Sequence, residues 1–206
     1  MRTVLVANPK GGAGKTTMAT NLSVGLASLG HAVALWDLDR QKSSLQWLLV
    51  RGEREPRVVR LGDHGPSQQS HRDLAWLVID SPAALHGKNL SHALKLADKV
   101  VVPVQPSLFD MAATGEFLNG LLAEKSVQKG EKQIGVVGMR VDPRTRAAST
   151  LEAFLEQFSL PVLTYLRDTQ LYANAAFNGL SLFDLPGYVS AREAGQWGPL
   201  LSWLDE

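Results

Sequence analysis

Residues 8–17 read Asn8-Pro9-Lys10-Gly11-Gly12-Ala13-Gly14-Lys15-Thr16-Thr17. A short apolar run, Thr3 to Ala7, precedes them and reads as a strand. After them, Met18, Leu22, Val24 and Leu26 recur at helical intervals within Gly14 to Leu29, and the pattern stops at Gly30, a residue suited to the left-handed position past a helix end. A glycine-rich turn between a strand and a helix lets consecutive backbone N–H groups converge on an anion at the positive end of the helix dipole. Against the pattern G-x-x-x-x-G-K-[ST] the match runs from Pro9 to Thr16, with Pro9 where the first glycine normally stands. Gly11, Gly12, Ala13 and Gly14 supply the wrap, and Lys15, Thr16 and Thr17 continue it into the helix. Lys15 can reach the β and γ oxygens of a nucleotide, and the Thr16 hydroxyl can ligate Mg²⁺. A chance cluster of glycines in a tight turn accounts for none of the last three residues.

Working outward, similar apolar runs recur at Ala32 to Trp36, Leu74 to Ile79, Lys99 to Val104, Gln133 to Met139 and Pro161 to Leu166, alternating with segments of helical spacing. That rhythm predicts an α/β fold of three layers, a mostly parallel sheet buried on both faces by helices. Residues 51–73 are polar and turn-rich and read as a surface connection with one weak strand at Val58-Val59. The second strand ends in Asp37-Leu38-Asp39, and alternation predicts both carboxylates on one side of its carboxyl end, where ligands gather in open α/β sheets. The third ends in Asp80-Ser81-Pro82-Ala83, a carboxylate at the tip of a buried strand, which is the Walker B arrangement for holding Mg²⁺.

Composition bounds the function. With 206 residues, 45% of them hydrophobic, the chain is expected to form one domain over residues 1–206. A formal net charge of +1 gives no global field toward nucleic acid, so any such binding needs a local basic patch. The absence of cysteine excludes disulfides, thiolate metal sites and a cysteine nucleophile. The first residues lack the features of a secretory signal, and no window approaches a membrane span, so a cytoplasmic location is expected.

NPKGGAGKTT resembles the deviant Walker A motif of the ParA/MinD superfamily, in which an additional lysine, here Lys10, precedes the glycines. The resemblance implies that Lys10 crosses a dimer interface to the partner's nucleotide, so that two subunits sandwich two ATP molecules. It implies that Asp39 positions or activates the attacking water, and that Asp37 supports the Mg²⁺ shell with Thr16 and Asp80. Hydrolysis would be slow and switch-like, resting on Lys10, Lys15 and Asp39. The ParA branch carries Asp-x-Asp-Pro-Gln where this chain has Arg40 in place of proline. Val136 to Arg146 resembles the strand and loop that face adenine, but the asparagine expected near Met139 is missing. Leu166-Arg167-Asp168 resembles the following nucleotide loop, which makes Arg167 a nucleotide contact, and Asn178-Gly179 the closing glycine motif.

Within that superfamily, iron–sulfur and arsenite-sensing relatives need cysteines and are excluded. MinD-type proteins end in a basic amphipathic helix, whereas residues 194–206 carry Trp197, Leu200, Leu201, Trp203 and Leu204 with no lysine or arginine, and read as a helix packed on the body. The chain begins just before its first strand, so the short ParA form without a helix-turn-helix domain is expected. The reading is thus an ATPase for partition of a plasmid or chromosome, or for positioning another cargo. It would dimerise with ATP, bind DNA non-specifically, associate with the nucleoid, and be stimulated by a ParB-like or centromere-binding partner. Lys125, Lys129, Lys132, Arg140, Arg144, Arg146, Arg167 and Arg192 are the candidate DNA contacts. The alternatives are a small-molecule ligase of the dethiobiotin synthetase type and a MinD-like positioning ATPase.

Overall fold

The computed structural model describes residues 1–62, 65, 73–83, 85 and 87–206. Seven strands, β1 (Arg2–Val6), β2 (Val33–Asp37), β3 (Val58–Arg60), β4 (Trp76–Asp80), β5 (Lys99–Val104), β6 (Gln133–Met139) and β7 (Val162–Leu166), form one sheet in the order β3-β2-β4-β1-β5-β6-β7. Every pairing is parallel. The six apolar runs of the sequence are six of these strands, displaced by a residue or two at their ends. The weak run at Val58-Val59 is β3, a three-residue edge strand.

Nine helices connect and cover the sheet among the described residues: α1 (Lys15–Ser28), α2 (Ser43–Arg51), α3 (Gly87–Leu96), α4 (Leu108–Ala123), α5 (Lys125–Gln128), α6 (Arg146–Leu155), α7 (Leu171–Phe177), α8 (Gly187–Gly195) and α9 (Gly198–Asp205). Alternation along the strands divides the core in two. Leu5, Ala7, Leu77, Ile79, Val100 and Val102 face α3, α4 and α6, while Val4, Val6, Trp76, Val78, Val101 and Val137 face α1, α2 and α9. The three expected layers are therefore present, and both faces of the sheet are dry. Helix α1 packs against β2 and β4 and is buried almost all round, so its apolar stripe is broader than a single amphipathic face. It ends where the sequence predicts, and Gly30 takes φ 90.

The segment 51–73 departs from its expected surface role at its first residue. Arg51 is only 3% exposed, because it ends α2 and its guanidinium meets Asp184 at 2.8 Å. Residues 63, 64 and 66–72 of that segment lie outside the described residues. No helix among the described residues is long and apolar enough to cross a membrane.

Candidate functional site

The carboxyl ends of β1, β2, β4 and β6 bring together most of the predicted residues around one cleft of about 650 Å³, lined by Gly11, Gly12, Gly14, Lys15, Thr16, Thr17 and Asp39, among others. Parallel strands all point their carboxyl ends the same way, so residues far apart in sequence converge there without any local contact.

The loop that carries the glycines is anchored from beneath by Asn8. Its side chain is fully buried; it donates to the Pro103 carbonyl at 2.8 Å and to Thr114 Oγ1 at 2.9 Å, and accepts from the Lys10 amide at 2.8 Å. The sequence reading passed over Asn8, although a polar residue closing an apolar strand was its signal. Gly14 takes φ 94, so the turn needs glycine for its backbone, and the loop lies against the Met139 side chain of β6. No side chain caps the start of α1. The first-turn amides consequently lack intrahelical partners and offer their N–H groups, with the positive end of the helix dipole, to a ligand in the cleft.

Lys15 is 7% exposed, and its ammonium donates to the Lys10 carbonyl at 3.0 Å. Burial lowers its pKa from the ordinary value, against the pull of Asp80 and Asp39. A buried cation with one backbone acceptor is poised for an anion that would complete its coordination. Thr16 Oγ1 donates to Asp80 Oδ2 at 2.9 Å, while Asp80 Oδ1 is buried with no hydrogen-bond partner. Burial, with the nearby charge of Asp37 adding to it, pushes the Asp80 carboxyl up to about 7, against the Thr16 hydrogen bond, the nearby Ser44 hydroxyl and the charge of Lys15.

An orphaned carboxylate oxygen beside a threonine hydroxyl fits a hard divalent cation, and Mg²⁺ is the one that binds through few protein oxygens plus phosphate. Among the described residues no group of three or more acidic or histidine side chains could hold a metal ion by itself. Thr16 and Asp80 would hold the ion, and when bound it would neutralise phosphate charge.

The two remaining aspartates are not equivalent. The strand ends at Asp37, so its alternation does not extend to Asp39. Asp37 Oδ1 accepts from the Asp39 amide at 2.9 Å and Oδ2 from the Leu45 amide at 3.0 Å, which fixes the turn and caps α2. Its register partner across the ladder is Asp80, so it acts on that carboxylate through its charge. Asp39 faces the cleft and accepts from the Gln41 amide at 2.9 Å.

Lys10 and Arg167 stand apart. Lys10 contributes its carbonyl to Lys15, but its side chain is not part of the cleft wall and has no hydrogen-bond or ion-pair partner among the described residues. Arg167 lines a neighbouring hollow of about 400 Å³ that shares only Arg140 with the cleft, and its guanidinium donates to Glu193 at 3.1 Å. A further cavity of about 440 Å³ opens on the other side of the first turn of α1, walled by Trp47, Tyr172 and Phe177.

Comparison with known proteins agrees with this geometry. Residues 4–182 match the model of the CobQ/CobB/MinD/ParA nucleotide binding domain. The chain is 30% identical over 203 residues to the maintenance of carboxysome distribution protein A of Halothiobacillus neapolitanus, covering 94% of this chain and 93% of that one. It is 32% identical over 193 residues to the chromosome-partitioning ATPase Soj of Thermus thermophilus, covering 75% and 76%. Among solved structures, apo McdA from Cyanothece superposes with a TM-score of 0.77 over the full length of both chains at 17% identity, a likeness of fold.

Proposed function

Because the chain belongs to the CobQ/CobB/MinD/ParA nucleotide-binding family, we propose that it is an ATP-switched positioning ATPase of the ParA branch. The observation that carries this reading is the uncapped start of α1 beside the Thr16–Asp80 pair with its orphaned oxygen, a site built for a polyphosphate and a small divalent cation together. Asp39, at the cleft wall on the same flank as Asp80, is the group that orients the attacking water. With no covalent step on the protein, turnover rests on positioning and charge and is slow.

The switch is dimerisation. The unengaged ammonium of Lys10 is available to a second subunit's nucleotide, and two polyanionic ligands brought face to face need such a cation in trans. The ATP-bound dimer gathers basic residues into a surface that holds DNA without sequence preference, and a partner protein stimulates hydrolysis and release. Relatives named for carboxysome distribution and for chromosome partitioning support a role in placing cargo.

Sedimentation with a slowly hydrolysed ATP analogue and Mg²⁺ tests this. The wild-type chain should sediment as a dimer and retard random-sequence DNA at low salt, and with ADP it should do neither. Lys10→Ala should lose both responses while still binding nucleotide. An ATP-bound dimer with no DNA affinity at low salt would overturn the DNA half of the reading, and a monomer with ATP would overturn the switch.

A further inference from the structure

The geometry points to Arg140 as a further cation of the nucleotide cleft, one that pairs with the phosphates nearest the sugar and so fixes which way round the nucleotide lies. The inference rests on the nucleotide reading above and deepens it.

The backbone is the first observation. Arg140 follows β6 immediately and takes φ 55, a left-handed conformation that carries a cost in a residue with a side chain. The chain is pinned on both sides of it: Met139 packs under Gly14, and the Val141 amide donates to the Leu166 carbonyl at 3.0 Å. Strain held in place by its surroundings is found where a side chain must be aimed.

The second is where the residue lies. Arg140 lines the same cleft as Gly12, Gly14 and Lys15, and stands at its boundary with the neighbouring hollow of Arg167. Its ion-pair partner, Asp168, stands 3.8 Å away with the two side chains 64% and 72% exposed. A long, solvated pair of this kind has little hold on either partner, so the guanidinium is free to turn to a phosphate.

The third is the order of the strands. Asp80 and Asp39 follow β4 and β2 on one flank of β1, whereas β6 lies on the opposite flank, beyond β5. The carboxylates of the cleft therefore lie on one side, with Arg40 beside Asp39, and Arg140 lies on the other. Carboxylates attract the metal-bearing end of a polyphosphate and repel bare phosphate, so the terminal phosphate goes to their flank. The sugar-proximal phosphates then lie toward β6, where the planar fork of a guanidinium can take two oxygens at once.

The test uses the full chain and calorimetric affinities for ATP and ADP in Mg²⁺, with thermal melts alongside. Arg140→Gly removes the cation and at the same time relieves the left-handed backbone, so its melting temperature should equal or exceed that of the wild type. Its Kd for ATP and its Kd for ADP should both rise by about tenfold or more, and by the same factor, because the arginine touches what the two nucleotides share. Arg140→Asn, which also tolerates this backbone, should behave alike. Affinity within about twofold of wild type in both variants would overturn the inference, and so would a loss confined to ATP, which would put the arginine on the terminal phosphate. If instead the wild type fails to bind ATP, or Lys15→Ala binds it as tightly as wild type, the nucleotide reading itself is wrong.

Discussion

Asp37, Asp39 and Asp80 are three carboxylates at neighbouring strand ends whose surroundings assign them different work. Asp37 is committed to two backbone amides and Asp80 to Thr16, whereas Asp39 makes one bond, to Gln41, on the cleft wall. Asp39→Ala should therefore still bind ATP and Mg²⁺ while phosphate release falls by about 100-fold, as for loss of a positioned base. The variant should accumulate as the ATP dimer, read by sedimentation together with a phosphate assay; a monomer with normal release would remove Asp39 from this role. The positions of Lys15 and Thr16 on the first turn of α1 and of Asp80 at the end of β4 were legible in the sequence, because one motif fixes the first two and a strand end fixes the third. Asn8 and Asp37 were not read for what they do. The acceptors of the Asn8 side chain lie 95 and 106 residues away, and Asp37 caps a helix whose own N-cap residue, Lys42, supplies no side-chain cap.

Helix α2 is held at both ends, and the two fastenings differ in kind. At its start the Asp37 carboxylate receives Leu45 N–H; at its end the Arg51 guanidinium donates to both oxygens of Asp184 at 2.8 and 2.9 Å and also to the Gly179 and Pro56 carbonyls. Arg51 and Asp184 are 1% and 4% exposed in their side chains, so truncating one leaves a buried, uncompensated charge. Arg51→Ala is expected to cost about 3–5 kcal/mol in urea unfolding at neutral pH. Burial alone would raise the Asp184 carboxyl, but hydrogen bonds from Arg51 and Ser181 outweigh it and hold the group below its ordinary 3.8. A depressed carboxylate stabilises the fold above its unfolded value and loses that contribution as the pH falls through its folded one. The stability gap between wild type and Asp184→Asn should accordingly be largest near neutral pH and shrink below about 3.8. A gap that stays constant from pH 6 to pH 3 would mean that the charge is not what Asp184 contributes. This helix also shows why polar composition misled at Arg51, since a charged residue is buried only when a partner distant in sequence meets it.

At the scale of the whole molecule, the tail is part of the body. Trp197, Leu200 and Leu204 are fully buried in the core that α1 shares, with Trp197 in edge contact with Phe183 and hydrogen-bonded to Tyr172. Arg2 and Lys99, at the amino ends of the central strands β1 and β5, opposite the end that bears the cleft, donate to the Leu204 and Trp203 carbonyls at the end of α9, and Lys99 lies 4.7 Å over the Trp203 ring. A lipid surface could take up these apolar groups only by pulling them from the core. The chain should stay in the supernatant when spun with anionic vesicles, with or without ATP, and co-sedimentation would show that α9 detaches. By itself the sequence determined the parallel sheet, the glycine-rich loop between β1 and α1 and the carboxylate at the tip of β4, because strand alternation, a glycine turn and a motif of fixed spacing are local properties. The tertiary structure alone decided that Arg140 enters the cleft, that Arg167 stays outside it, and that Asp37 fixes a helix start. Those outcomes depend on the order in which seven strands lie side by side, and strand order is set by how helices pack across the sheet rather than by any residue's neighbours in the chain.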